Sequence, residues 1–218
     1  MDVREALYTT RAMRRVKPDP IPADVQMRIL DAAIRAPSGG NSQNWHFLLV
    51  DDPAVRGKLG PIYRDCMSML WKTIYKQRLD AMEATPNDPE SIQFRKVYNS
   101  ANWLAENFET YPLLLMGFAQ SDPSGGSIYP ALWNAMLAAR AEGVGSALTS
   151  VILFKWPEVK AILGVPDDTW NFAGCVTMGY PTGRWGVAPR RPVHEVSSRN
   201  SWTGALGFEI PEPLWPPK

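Results

Sequence analysis

The sequence predicts an α+β layered domain, more than a doubly wound parallel sheet, spanning residues 1–218 as a single domain. Three observations carry this. Short apolar runs of strand length alternate with stretches of helical periodicity. Several connections between those apolar runs are too long for a regular βαβ series. The composition, 45% hydrophobic and 21% charged over 218 residues, is that of one ordinary globular core.

In chain order, Val25, Ile29, Ala32, Ala33 and Ala36 share one helical face of PADVQMRILDAAIRAP. Pro22 suits a first turn and Pro37 ends the run. The loop of RAPSGGNSQNWHF (35–47) follows and leads into WHFLLV (45–50), a buried strand bounded by Asp51-Asp52-Pro53. From Asp52 to Phe108 the sequence is mostly helical in character, broken at Thr85-Pro-Asn-Asp-Pro89, and a helical excursion is expected at about 64–108. TYPLLLMGFA (110–119) returns as a strand, IYPALWNAMLAARAE (128–142) is a strong helix closed by Gly143-Val-Gly145, and SALTSVIL (146–153) reads as a strand or extended loop. A short helix at 156–163, a strand at 170–180 and a turn at 181–184 complete the core. The proline-rich closing segment WTGALGFEIPEPLWPPK (202–218) is too apolar to float in water and cannot be a regular helix, so an extended tail lying over another surface is expected.

Charge and cysteine usage exclude several function classes. A net charge of +1 gives no field to recruit nucleic acid or an anionic membrane, so any anion site must be local. Cys66 and Cys175 read as buried small side chains of a reducing compartment, not a disulfide. The N-terminus lacks a signal-peptide core, and the most hydrophobic run, Leu113 to Ala119, is far short of a membrane span. A soluble cytoplasmic protein is expected.

The usual chemical motifs are missing. No GxGxxG follows a strand, no phosphate-binding P-loop is present, and no serine sits in a GxSxG turn. The two histidines, His46 and His194, have no metal-ligand spacing, so no metal site is expected. Two arginine clusters stand out: Arg11, Arg14 and Arg15 with Lys17 near the start, and Arg190-Arg191 with Arg184 near the end. Each is either a solvated charged surface or, if the two meet, a local anion site built from forked guanidinium donors. The loop Pro37-Ser38-Gly39-Gly40-Asn41-Ser42-Gln43 offers hydroxyls, amides and glycine-exposed N–H groups but nothing titratable. It is a plain helix-ending turn, or a reader of the polar edge of a flat heterocycle. Any chemistry would then come from a bound cofactor, with no catalytic side chain of the protein.

TRAMRRVKPDPIP, APSGGNSQNWHF, SIYPALWNAMLAARAEGVGSALTS, GYPTGR and PRRPVHEV, in this order and spacing, resemble the FMN-dependent nitroreductase family over nearly the whole chain. The resemblance implies a layered sandwich with a central, mainly antiparallel sheet flanked by helices, and a homodimer holding FMN at its interface. By the same resemblance Arg11 and Arg14 contact the phosphate and ribityl chain, and Arg190, with Arg191 as its neighbour in an ambiguous register, contacts the phosphate from the C-terminal side. Ala12 stands where many relatives have serine. Pro37, Ser38, Gly39, Asn41 and Gln43 match the loop that faces the flavin from one subunit, and Leu148, Thr149 and Ser150 match the segment passing the ring. The implied activity is an NAD(P)H-dependent oxidoreductase, NADH or NADPH reducing the flavin and a small electron-poor acceptor such as a nitroaromatic or quinone reoxidising it in ping-pong fashion. Reductive dehalogenation, flavin breakdown and a non-catalytic flavin-binding role are the alternatives. Tyr129, Trp133, Trp103 and the apolar tail are candidates for the interface or pocket wall, and the helical excursion for a lid.

Overall fold

The structure, a computed structural model, describes residues 1–166 and 169–215. It divides into two compact units, Ala12–Gly183 and Met1–Arg11 with Arg184–Lys218.

The larger unit is organised by a four-stranded sheet of β1 (Trp45–Val50), β2 (Leu113–Ala119), β3 (Gly145–Thr149) and β4 (Asn171–Gly179), in the order β1-β2-β4-β3 with every pairing antiparallel. All seven residues of β2 are buried. A strand covered on both faces has no reason to alternate apolar with polar, which is why LLLMGFA is a continuous apolar run. Leu113 and Leu115 point to one apolar cluster, and Leu114, Met116 and Phe118 to the other.

The first face packs on α2 (Ala23–Ala33) and α6 (Ile128–Ala141). Ala33, Ala131, Ala135 and Ala139 are fully buried, so small side chains let these two helices lie close together and close to the sheet. The second face packs on α3 (Pro53–Lys72), α5 (Pro89–Glu106) and α7 (Trp156–Leu163), with α4 (Lys76–Ala84) against α5. Its core is aromatic, including Tyr63, Phe94, Phe108, Phe118 and Phe172. Both long helices begin the same way: Asp52 accepts from the Ala54 N–H and Asp88 from the Glu90 N–H, each followed by proline in the first turn. Aspartate satisfies an otherwise orphaned donor and proline has none to satisfy. The stretch read as helical from Asp52 to Phe108 holds α3, α4 and α5.

The span 146–153 differs from the expected strand or extended loop. β3 stops at Thr149, and Val151–Lys155 is a 3₁₀ turn. Ser150 leaves the extended region with ψ 7°, and the Thr149 hydroxyl accepts from the Val151 N–H at 3.4 Å, a side-chain bond that competes with ladder pairing. Cys66 and Cys175 are both buried and free.

In the smaller unit, α1 (Val3–Thr9) is capped by Asp2, which accepts from the Glu5 N–H at 2.8 Å. Tyr8 on α1 meets Trp215 of the tail at a centroid distance of 5.9 Å. Residues 202–215 hold neither helix nor strand, as their prolines demand, and Trp202 is 96% exposed. The last three residues of the expected tail, 216–218, lie outside the described residues. Among the described residues no helix is long and apolar enough to cross a membrane.

Candidate functional site

Pro37–Gln43 connects α2 to β1, where the sequence places it, and its backbone is unusual. Gly40, Asn41 and Gln43 have φ of 57°, 53° and 52°. Glycine adopts this region freely, asparagine tolerates it, and glutamine does so at a cost of about 1–2 kcal/mol. Such a turn persists only when its surroundings impose it. Here Gly39 N–H donates to Ser127 Oγ at 3.2 Å, tying the loop to the residue before α6, and Gln43 N–H donates to Ser38 Oγ at 3.2 Å. Gln43 Nε2 donates to Asn41 Oδ1 at 3.1 Å. Both residues are exposed, and the pairing uses neither the Asn41 amide donors nor the Gln43 side-chain oxygen, which stay available as a donor and an acceptor.

A second cluster forms on the opposite edge of the sheet. The strap Ala12–Val16 bridges β3 at Ala12–Ser146, with Met13 N–H donating to the Ser146 carbonyl at 2.9 Å, and pairs at Val16–Pro181. Two glycines make the close approach possible: a Cβ on Gly145 would stand 2.9 Å from Met13 Cβ, and one on Gly179 would stand 2.7 Å from Val16. The strap carries Arg14, whose guanidinium donates to Ser100 Oγ at 3.4 Å and whose carbonyl accepts from the Tyr111 hydroxyl. Beside it, Thr149 Oγ1 lies 2.9 Å from the Tyr63 hydroxyl. Burial pushes both phenols well above the ordinary tyrosine range, while the Thr149 partner and the Arg14 charge oppose the shift at Tyr63. Thr149, Ser150 and Tyr75 line a cleft of about 470 Å³ together with Leu70, Ile74, Leu153 and Phe154, with no charged side chain in its lining among the described residues.

The smaller unit holds a cavity of about 470 Å³ lined by Arg190, Arg191, Thr10, Tyr8 and Val193 among others. Thr10 is 4% exposed and its hydroxyl has no hydrogen-bond partner among the described residues. Arg191 is held by Glu195 at 3.2 Å, whereas Arg190 makes no ion pair among the described residues and donates to the Pro189 carbonyl. Arg11 donates to the Arg184 carbonyl at 2.9 Å.

Of the residues singled out from sequence, Ala12, Arg14, Leu148, Thr149 and Ser150 thus share the β3 edge, and Arg190 and Arg191 share one cavity. The loop 37–43 is not with the β3 group. It precedes β1, and three strand spacings, about 14 Å, separate β1 from β3. Sequence reasoning missed Tyr63, Tyr111, Thr10 and Ser127. A tyrosine inside an apolar helix reads as core, and only the position of its hydroxyl reveals more; Ser127 was visible as a residue before a strong helix, but not as the anchor of a loop 88 positions upstream.

Residues 7–180 match the nitroreductase family. Among curated relatives, an NADH dehydrogenase of Thermus thermophilus is 27% identical over 202 residues, covering 90% of this chain and 95% of that protein. Among solved structures, iodotyrosine deiodinase bound to FMN and 3-iodo-L-tyrosine superposes with a TM-score of 0.69 at 20% identity, covering 87% of this chain and 95% of that one. The FMN-dependent nitroreductase NfnB of Mycobacterium smegmatis, in complex with NADPH, gives 0.66 at 22% identity, covering 89% and 96%. These neighbours share the helix-flanked antiparallel sheet. With the family match running from α1 to the end of β4 and the same fold in both structures, the chain belongs to the nitroreductase family.

Proposed function

We propose that this chain is an FMN-dependent oxidoreductase that uses NADH or NADPH to reduce a nitroaromatic, a quinone or a similar electron-poor acceptor, and that it works as a homodimer. The observation that carries this reading is the donor set: an exposed amide pair on a strained loop, an arginine strap and a cleft lined by Thr149 and Ser150, which among the described residues offer no histidine, carboxylate or thiol. Such a set suits a ligand that brings its own chemistry. FMN when bound would supply hydride acceptance from the nicotinamide and hydride delivery to the acceptor.

The protein's part is to bind, orient and exclude water. Asn41 and Gln43 would read alternating donors and acceptors at the edge of the ring. Thr149 and Ser150 would meet the ring along the β3 edge, and Arg14 the ribityl chain. Arg190, without a carboxylate partner among the described residues, is better suited to a phosphate than Arg191, and the Thr10 hydroxyl, unpaired among the same residues and in the same cavity wall, is a ready donor to a phosphate oxygen. Fixed arginine and N–H donors stabilise negative charge without reorganising during turnover. The uncharged cleft walls favour a flat, uncharged acceptor over a zwitterionic one. The separation of the loop from β3 supports the homodimer, because one copy's loop and another copy's β3 edge could then serve one ring. Tyr129 and Trp133, 46% and 40% exposed on α6, give that assembly apolar surface to cover.

The test is an anaerobic absorbance titration of the purified protein. Bound oxidised flavin that bleaches on adding NADH or NADPH, and recovers with a quinone or nitroaromatic, is the expected result. Flavin that binds but never bleaches would leave a flavin-binding protein without this activity; no flavin uptake from added FMN would end the reading altogether.

A further inference from the structure

The Tyr63 hydroxyl is the least expected polar group of the larger unit. Tyr63 is 1% exposed, its ring stacks on Phe108 at 4.1 Å, and its hydroxyl reaches through the aromatic core to Thr149 Oγ1 at 2.9 Å. A buried phenol whose proton finds no acceptor costs about 1–3 kcal/mol, and Thr149 Oγ1 is the partner within reach. The phenol therefore donates. The same Oγ1 also accepts from the Val151 N–H at 3.4 Å. A hydroxyl oxygen has two acceptor lone pairs and one proton. With both lone pairs engaged from within the protein, the Thr149 proton must be directed elsewhere, and Thr149 lines the cleft.

We propose that Tyr63 is a positioning residue that makes Thr149 an obligate hydrogen-bond donor toward whatever occupies the cleft. This rests on the reading of the β3 edge as a flavin contact. An obligate donor is selective: it favours ligand edges that present acceptors and disfavours those that present N–H. An isoalloxazine ring presents more acceptor nitrogens when oxidised and N–H groups in their place when reduced. Tyr63 would accordingly hold the oxidised cofactor more tightly than the reduced one. The strain-free alternative, a threonine whose hydroxyl rotates to suit either state, is what the buried phenol removes.

The experiment compares the full-length wild type with Tyr63→Phe, Thr149→Val, the double variant and Thr149→Ser. Two quantities are read: FMN affinity from quenching of flavin fluorescence, and the midpoint potential of the bound flavin. Tyr63→Phe keeps the ring and its stack, so the fold is retained. It is expected to weaken binding of oxidised FMN roughly three- to tenfold, the span of one net hydrogen bond, and to raise the midpoint potential. Thr149→Val should do the same, the double variant no worse than either single change because the two share one interaction, and Thr149→Ser should stay near wild type. Wild-type affinity and potential in Tyr63→Phe, a lowered melting temperature alone, or additive effects of the two changes would each overturn the proposal. A wild type that takes up no FMN would overturn the proposed function and this inference with it, whereas FMN uptake with an indifferent Tyr63→Phe would overturn only the inference.

Discussion

The two faces of the sheet hold their candidate site residues by opposite means. On the α2/α6 face, alanines bring helices close, and the loop 37–43 at the end of α2 is fixed through its own backbone: three left-handed residues and a bond to Ser127. On the α3/α5 face, large aromatics fill the core, and Thr149 is fixed through a side chain that crosses that core, the Tyr63 hydroxyl. The first device constrains where amides point, and the second constrains which way a hydroxyl donates. A perturbation of one face should therefore be felt at one part of the site and not at the other.

The largest test is a pair of cavity-forming changes. Phe108→Ala removes the ring on which Tyr63 stacks and should cost about 3–5 kcal/mol, while Leu132→Ala on α6, equally buried, should cost about 2–5 kcal/mol by chemical denaturation. The costs are alike but the consequences should differ. Phe108→Ala frees Tyr63 and should move the midpoint potential of bound flavin; Leu132→Ala should not. A shift of equal size in both would mean the faces are not independent.

A smaller effect distinguishes the faces by pH. Cys66, Cys175, Tyr63 and Tyr111 all lie in the aromatic cluster, and the opposite cluster has no buried thiol or phenol among the described residues. Burial alone pushes the Cys175 thiol up to about 12 from a reference of 9.0, and burial also raises Cys66. Below pH 9 both folded and unfolded chains keep the Cys175 proton, so it adds no pH dependence. Above it the unfolded chain releases the proton and the folded chain does not, so stability falls as pH rises toward 12, by about 1.4 kcal/mol per unit for a fully buried group. The phenols join from about pH 10 upward. Cys175→Ala should flatten the alkaline limb between pH 9 and 10, read from denaturant midpoints, and an unchanged slope would contradict the burial argument.

The parts of this architecture that follow from local pattern were legible in the sequence. TYPLLLMGFA was read as a strand and holds β2, the apolar face of PADVQMRILDAAIRAP was read as a helix and holds α2, and WHFLLV was bounded as read. The loop and strap were legible as motifs, because glycines, amides and arginines in that order resemble one family. What periodicity cannot carry is orientation. SALTSVIL has the composition of a strand, yet β3 ends at Thr149, where the Thr149 side chain accepts from the Val151 N–H and a 3₁₀ turn follows. Tyr63 had the address of a core residue, and its hydroxyl contact with a residue 86 positions away depends on the packing of the finished fold.

The smallest effect concerns the loop and separates stability from binding. At Gly40 an added Cβ meets nothing within 4 Å, so Gly40→Ala has no clash to relieve and should cost about 1 kcal/mol through its left-handed backbone alone. Gln43→Gly works in the other direction. It removes the strain at φ 52° but adds unfolded-chain entropy of similar size, so the melting temperature should move by no more than about 2 °C. FMN affinity should nonetheless fall roughly three- to tenfold, because the amide that pairs with Asn41 is gone. A stable variant with weakened flavin binding would identify the strained glutamine as kept for its side chain. Unchanged affinity would shift the reading edge of the loop to Asn41 alone and leave the Gln43 conformation a property of the turn.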